Sequence, residues 1–559
     1  MSEGHTVTRS DATSCLGQHG EGAARYLAGT SGVHTLLETS AALHPRKIAF
    51  IQDQERASYA QINAMANRLA FFLLAQGVTP GERVVVLLEN SLQYVVSYYG
   101  ALKAGGVAVP LNCEVKADSL TGILDQLQPR VVISCHKSEA LLREVDPDRL
   151  QIPLMVIKDP RQSWRSSRCR VVAWEELLRE GDRANPGLPI DSQSLASIIY
   201  TSGSTGKPKG VMLSHGNIVA NTWSIVQYLE LSESDIQMVV LPFFYVMGKS
   251  LLNTHVAVGG TLVVNNGFAY PASVIAQMAA ERVTGFSGVP STYAYLLHRS
   301  PLAAFRDRLE ALRYCTQAGG HMSRQIKEKL LQVLPPHTSL YIMYGATEAA
   351  ARLTYVEPER LAGKMDSIGR AIPGVSVRVL DEQGREVPPG ESGELVASGA
   401  NIMRGYWKDP QATSAVLDQN GYHTGDLGYQ DQDGYLFVTG RKDDLLKVGG
   451  HRVDPQEIED ALMATGLLLE AAVFGVEDEL LGKRLVALVV SLSRETSASR
   501  VLSLCLTQLP RHKLPSEVRF VAVLPKYASG KIDRSGCLAT FKMEPSEGPV
   551  ARSEALSSG

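Results

Sequence analysis

The chain has 559 residues, of which 44% are apolar and 20% charged, and its formal charge is −3. At about 150 residues per domain that length makes several units, and so small a net charge supplies no strong field for nonspecific attraction of nucleic acid or anionic lipid. No apolar run approaches the roughly 18 residues of a membrane helix, and the polar start MSEGHTVTRSDATSCLGQHGEG lacks the apolar core of a secretory signal; a cytoplasmic protein without a membrane span is expected.

In chain order, residues 1–28 read as a mobile arm, small, polar and poor in aromatics. Residues 61–75 carry helical apolar spacing that ends near Gly77. Residues 83–88 (RVVVLL) form a short buried strand, 91–103 an amphipathic helix closed by Gly105 and Gly106, and 107–110 the next strand. That order is a βαβ unit, which calls for a parallel sheet with helical crossovers. Further strands are expected at 131–134, 154–157, 236–241 and 261–264. Between 376 and 438 short strands and Gly/Pro turns dominate, suggesting a smaller β-rich unit. After Gly440 helices and strands return, with a helix at 455–463, so a domain boundary is placed near 441–444. The expected organisation is a large α/β domain over 29–441, a small α+β domain over 442–543 and a mobile tail over 544–559.

Seven cysteines (Cys15, Cys113, Cys135, Cys169, Cys315, Cys505, Cys537) are an odd number with no CxxC pair, and the 13 histidines form no HExxH. Buried or incidental thiols are expected, with no disulfide framework and no structural metal site.

The most informative stretch is 200–215 (YTSGSTGKPKGVMLSH). Its first eleven residues hold four hydroxyls (Thr201, Ser202, Ser204, Thr205), three glycines (Gly203, Gly206, Gly210) and two lysines (Lys207, Lys209). Glycines let backbone amides turn toward an anion, hydroxyls donate to it and lysines supply charge, so polyphosphate is the natural ligand. Strand-like segments at 196–200 and 211–213 on both sides argue against a flexible linker. A Walker A loop is also disfavoured: Thr201 stands where its first glycine belongs, and Pro208 follows Lys207.

This loop resembles the phosphate-binding signature of the AMP-forming acyl-CoA synthetase and adenylation superfamily. Three further segments agree in the family's order: 344–349 (YGATEA), 421–427 (GYHTGDL) with 440–444 (GRKDD), and 525–534 (PKYASGKIDR). Together they span about residues 30 to 540. The resemblance implies a large N-terminal domain with parallel-rich sheets and a small β-rich subdomain, followed by a small mobile α+β C-terminal domain. It implies ATP, Mg²⁺ and coenzyme A, or a carrier-protein phosphopantetheine, as reaction partners of a carboxylic acid. Tyr344 is thereby assigned to the adenine, Thr347 to the α-phosphate, and Glu348 with Thr201 to the metal. Asp426 and Arg441 are assigned to the ribose hydroxyls, and Lys531 to catalysis, bridging carboxylate and phosphate oxygens. Residues 202–207, Gly319, Gly320 and Gly345 complete the nucleotide set. Asp443 matches the hinge of the small domain, whose second orientation would present Lys447 and the stretch from Gly449 through Gly450 to Arg452 to an incoming thiol.

The acid is read from what the resemblance leaves open. Amino-acid-activating members hold the α-ammonium with an acidic residue in the stretch matching 241–248 (LPFFYVMG), and this chain has none there. Tyr245 stands where many acyl and aryl members carry histidine. Gly345 stands where acetate-specific members block the pocket with tryptophan, so an open floor is expected, with Met247, Gly248, Gln317 and Gly319 beside it. A medium- or long-chain fatty acid is the expected substrate and an aryl acid the second. Lys249 either pairs with a second anionic group on the acid or sits at the surface or a tunnel mouth.

Overall fold

The computed structural model describes residues 32–161, 163–164, 168–179, 183–201, 208–442, 446–448, 451–478, 482–527 and 530–543. The arm over 1–28 and the tail over 544–559 lie outside them.

Two large sheets make the core of the N-terminal part. One has eight strands, ordered Gly405–Tyr406, Lys209–Ser214, Leu195–Thr201, Val107–Pro110, Arg83–Val86, Val131–Cys135, Leu154–Lys158, Arg170–Ala173. The six from Leu195–Thr201 onward are parallel, and the first two add antiparallel. The second has nine strands and a parallel centre running from Ile48–Gln52 through Thr261–Val264, Ile236–Val239, Gly285–Gly288 and Tyr314–Gln317 to Ser339–Tyr344. Parallel strands buried on both faces need near-continuous apolar runs, as in Val84, Val85 and Val86, which are at most 1% exposed.

The βαβ unit at 83–110 forms as its pattern demands. The helix expected at 61–75 begins at Tyr59, two residues earlier than its apolar spacing shows, because Ser58 and Gln61 close a capping box around its N-terminus. The expected β-rich unit is a five-stranded antiparallel sheet containing Val375–Leu380, Gly393–Gly399, Leu417–Asp418, Gly421–Gln430 and Leu436–Arg441.

The small C-terminal domain is built on the hairpin Leu468–Asp478 and Gly482–Ser491, joined in parallel by Glu517–Phe520. The helix Pro455–Ala464 packs on it, with Asp454 as N-cap and Pro455 in the first turn. The two domains meet through hydrogen bonds of Ser291 Oγ to the Gly530 carbonyl (2.8 Å) and Gln325 Nε2 to the Ala464 carbonyl (2.7 Å). His321 and Asp460 face each other across the boundary at 3.1 Å. A cavity of about 240 Å³ lies between the domains, with Gly319 and Lys531 on its wall. Among the described residues no helix is long and apolar enough to cross a membrane, and the six described cysteines are free thiols.

Candidate active site

The C-terminal ends of parallel strands, where α/β sheets bind ligands, gather most of the residues singled out in the sequence. Thr201 ends the strand Leu195–Thr201, and its hydroxyl donates to the Lys209 carbonyl at 3.4 Å. Gln317 ends Tyr314–Gln317, and its amide donates to the Gly320 carbonyl (2.8 Å), closing the turn through Gly319 and Gly320. Gly319 is in the left-handed region at φ +87°, and a Cβ there would meet Val289 at 3.1 Å and Lys531 Cε at 3.4 Å. Tyr344 ends Ser339–Tyr344, and the chain then turns through Gly345 into the short 3₁₀ helix Thr347–Ala349 that carries Glu348.

Glu348 is held by Tyr406, whose hydroxyl donates to Oε1 at 2.8 Å. The motifs do not mark Tyr406; it lies 58 residues away on the edge strand Gly405–Tyr406, and a lone tyrosine there carries no spacing signal. Asp426 comes from the antiparallel sheet and accepts from the Tyr344 hydroxyl. Arg441 is its cross-strand neighbour, with Nε 3.2 Å from Asp426 Oδ1 and a second donation to the Thr424 carbonyl. Burial and the Asp426 charge push the Tyr344 phenol well above its ordinary pKa, which keeps it a donor.

Lys531 enters from the small domain on a turn fixed by Gly530 at φ +80° and by Tyr527 N–H donating to the Lys531 carbonyl (2.8 Å). The residue as a whole is exposed, yet protein crowds around its charged end. The crowding lowers its pKa, and the charges of Glu348 and Asp426 oppose the shift. The small domain thus sets Lys531 on the cavity wall beside Gly319, within electrostatic reach of Glu348, Asp426 and Arg441.

Tyr245, the N-cap of the helix Val246–Ala257, is half-buried with its ring 4.6 Å from that of Phe244. Met247 is buried in an apolar cluster with Leu241, Ala318 and Met343. Gly248 is required by packing, since a Cβ would collide with the Pro242 carbonyl. Gly345 has the same kind of cause: a Cβ would run into the Ala351 carbonyl. The open floor expected there is thus set first by a close backbone crossing.

Lys249 is neither at the surface nor at a tunnel mouth. It is 2% exposed, with Nζ 3.0 Å from Ser197 Oγ and 4.8 Å from the centre of the Tyr98 ring, and burial drives its pKa far down. The loop residues Ser202, Gly203, Ser204, Thr205, Gly206 and Lys207, the hinge candidate Asp443, and Gly450 lie outside the described residues. Lys447 lies in the strand Leu446–Val448, which pairs with His451–Val453.

Thr201 and Glu348 offer hard oxygen donors of the kind Mg²⁺ takes together with phosphate oxygens and water. Among the described residues no group of three or more His, Cys, Asp or Glu could hold a metal by itself. An aromatic, a carboxylate with an arginine, and a lysine carried in by a second domain can together hold a nucleotide beside a carboxylate.

This fold and cleft define an adenylate-forming acid–thiol ligase. The AMP-binding enzyme model matches residues 37–407, and the AMP-binding enzyme C-terminal domain model matches 457–531. An indoleacetate–CoA ligase of Aromatoleum aromaticum is 34% identical over 89% of this chain and 95% of its own length. A long-chain-fatty-acid–CoA ligase of Mycobacterium tuberculosis is 30% identical over 89% and 96%. The crystal structure of ATP-bound MatB from Rhodopseudomonas palustris superposes with a TM-score of 0.80 at 27% identity, covering 92% of this chain and 99% of that one. The chain belongs to the AMP-binding enzyme family.

Proposed function

We propose that this protein activates a medium- or long-chain fatty acid with ATP and passes the acyl group to coenzyme A. What supports the activation step is that Lys531, from a separate domain, lines the inter-domain cavity beside Gly319 and feels the charges of Glu348 and Asp426. In the first half-reaction a carboxylate oxygen attacks the α-phosphorus, the bond to pyrophosphate breaks, and an acyl-adenylate forms. Tyr344 offers its ring to the adenine, while Asp426 and Arg441 address the ribose hydroxyls. Thr347 donates to the α-phosphate, and the hydroxyls, backbone amides and lysine of 202–207 would donate to the outgoing phosphates. Lys531 places its positive charge between the carboxylate and phosphate oxygens as negative charge develops. Mg²⁺ held by Thr201 and Glu348 would neutralise charge on the pyrophosphate. In the second half-reaction the thiol sulfur attacks the carbonyl carbon and AMP leaves. Rotation about Asp443 would withdraw Lys531 and present Lys447 and Gly450 to the thiol.

The apolar cluster around Met247 supports a hydrocarbon skeleton, and the absence of an acidic residue in 241–248 speaks against an α-ammonium group on the acid. An aryl acid is the second reading, favoured by the 34% identity to an indoleacetate–CoA ligase. The test is pyrophosphate release trapped with hydroxylamine across fatty acids of two to eighteen carbons, aryl acids and amino acids, followed by thioester formation with coenzyme A or a carrier-protein phosphopantetheine. Activity confined to one chain-length group with coenzyme A is expected. Activity on aryl acids alone would overturn the fatty-acid reading, and transfer to the carrier alone would overturn coenzyme A as acceptor.

A further inference from the structure

Immediately beyond Glu348 the backbone does something unusual. Ala350 sits at φ +54° and Ala351 at φ +133°, both in the region that disfavours a Cβ. These two strained residues turn Arg352 inward, where it is 2% exposed. Its backbone carbonyl accepts from the amides of Asn221 and Asn401, both at 3.0 Å, which fixes the turn from two sides. The guanidinium donates to the Ala351 carbonyl at 3.2 Å and meets the Tyr228 hydroxyl. Among the described residues no carboxylate pairs with it, and its Nε has no acceptor.

A guanidinium carries five donors in a planar fork and keeps its charge. Burying one without a counter-ion is unfavourable unless something else completes it. The facing helix His215–Tyr228 supplies a second unused group. Asn221 and Tyr228 on that helix touch the backbone and the side chain of Arg352. Ser224 lies between them on the same face, three residues from one and four from the other. It is 6% exposed, and its hydroxyl has no partner. Tyr228 shares its apolar cluster with Met247, Ala318 and Met343, beside the sequence-assigned acyl pocket. Lys249 is not the competing candidate: it lies 3.0 Å from Ser197 Oγ and over the Tyr98 ring, and burial drives its pKa far down, so that, unlike a guanidinium, it can be buried as the neutral amine.

We infer that Arg352 and Ser224 form a subsite for a second carboxylate on the acid, so that a dicarboxylic acid is preferred to the monocarboxylic acid of the same skeleton. The inference rests on the acid-activating function proposed above. The planar fork would take the distal carboxylate through two N–H donors, with the Ser224 hydroxyl as a third.

The test compares octanedioic with octanoic acid, and 1,4-benzenediacetic with phenylacetic acid, by pyrophosphate release in the full-length wild type and in Arg352→Gln, Arg352→Lys and Ser224→Ala. In at least one skeleton the wild type should favour the diacid, mainly through KM. Arg352→Gln should cut the diacid-to-monoacid ratio of kcat/KM about 100-fold, and Ser224→Ala about 10-fold. Arg352→Lys should fall between Arg352→Gln and wild type, since it keeps the charge and loses the fork. A wild-type preference for the monoacid in both skeletons would overturn the inference. So would variants that slow both acids by the same factor, the signature of an arginine that only holds its turn. If no acid releases pyrophosphate with the wild type, the activation reading itself fails. Calorimetry then decides the subsite: octanedioic or benzenediacetic acid binding to wild type but not to Ser224→Ala retains it, and no binding to wild type removes it.

Discussion

Asp426 and Arg441 stand directly opposite each other on adjacent antiparallel strands, with Arg441 Nε 3.2 Å from Asp426 Oδ1 and the Tyr344 hydroxyl on Oδ2. One carboxylate thus ties the β-rich sheet to the end of the strand that carries Tyr344 toward Glu348. Cross-strand pairing sets the two side chains before any ligand arrives, so little ordering cost remains to be met on binding.

Asp426→Ala should therefore weaken nucleotide binding more than it slows chemistry. It would remove the proposed acceptor for the ribose hydroxyls, and it leaves Arg441 and Tyr344 without their shared partner. The KM for ATP in pyrophosphate release is expected to rise about 10- to 100-fold. An unchanged KM would mean that the pair only joins the two sheets.

Lys531→Ala should reduce the rate of acyl-adenylate formation about 10²- to 10³-fold, the usual cost of losing a preorganised contact to developing charge. The side chain is exposed to the cleft, so the melting temperature should barely move. A rate within threefold of wild type would remove Lys531 from catalysis.

Much of this architecture is legible in the sequence because it is local. The βαβ unit at 83–110 reads from apolar runs and a Gly-Gly stop, and the helix Pro455–Ala464 from its proline and its periodicity. Ser58 shifts one helix start by two residues because a side-chain cap, which apolar spacing ignores, decides where the helix begins. Contacts between distant segments are different. Tyr406 reaches Glu348 across 58 residues without any motif, and Arg534, though it closes the segment 525–534, reaches Glu459 across 75 residues with nothing in that segment to name its partner. Arg352, which follows three alanines after the Thr-Glu pair, carries no spacing signal in the sequence, and two positive-φ alanines turn it inward. Lys249 likewise looks free, because its partners are a serine hydroxyl and a ring face rather than an acid.

The pair Arg534–Glu459 supports a prediction about the small domain. Glu459 is buried, and both its oxygens accept from Arg534, at 2.6 and 2.9 Å. Burial raises the Glu459 pKa, and the Arg534 charge opposes that rise. Arg534→Met would leave the carboxylate buried and unpaired. Discounted for the partial exposure of Arg534, the cost should be about 2–4 kcal/mol, read as loss of the small domain's unfolding transition at lower denaturant. Glu459→Gln with Arg534→Met should recover part of it, since the neutral amide is less costly to bury. No destabilisation in the single variant would show that water already compensates the pair.

Three buried histidines set the acid limit of stability. Burial lowers the pKa of His34 to about 4, of His215 to about 3 and of His255 to about 4. His215 is further opposed by His34, whose ring lies 5.9 Å away, and its Nδ1 accepts from the Val33 N–H at 3.1 Å, a bond that a protonated nitrogen cannot make. In the unfolded chain each would titrate near 6.5. Between these values the unfolded chain binds protons that the folded chain refuses, so stability is full above about pH 6.5 and falls as the pH drops toward 4. At pH 5 each histidine should contribute a loss of about 2 kcal/mol relative to pH 7.5. Urea midpoints across this range should decline with a slope approaching three protons. Replacing His215 by Asn, whose side-chain oxygen can still accept from the Val33 N–H, should remove about one proton from that slope. A stability that stays flat from pH 7.5 to 5 would mean that the rings already reach water in the folded state.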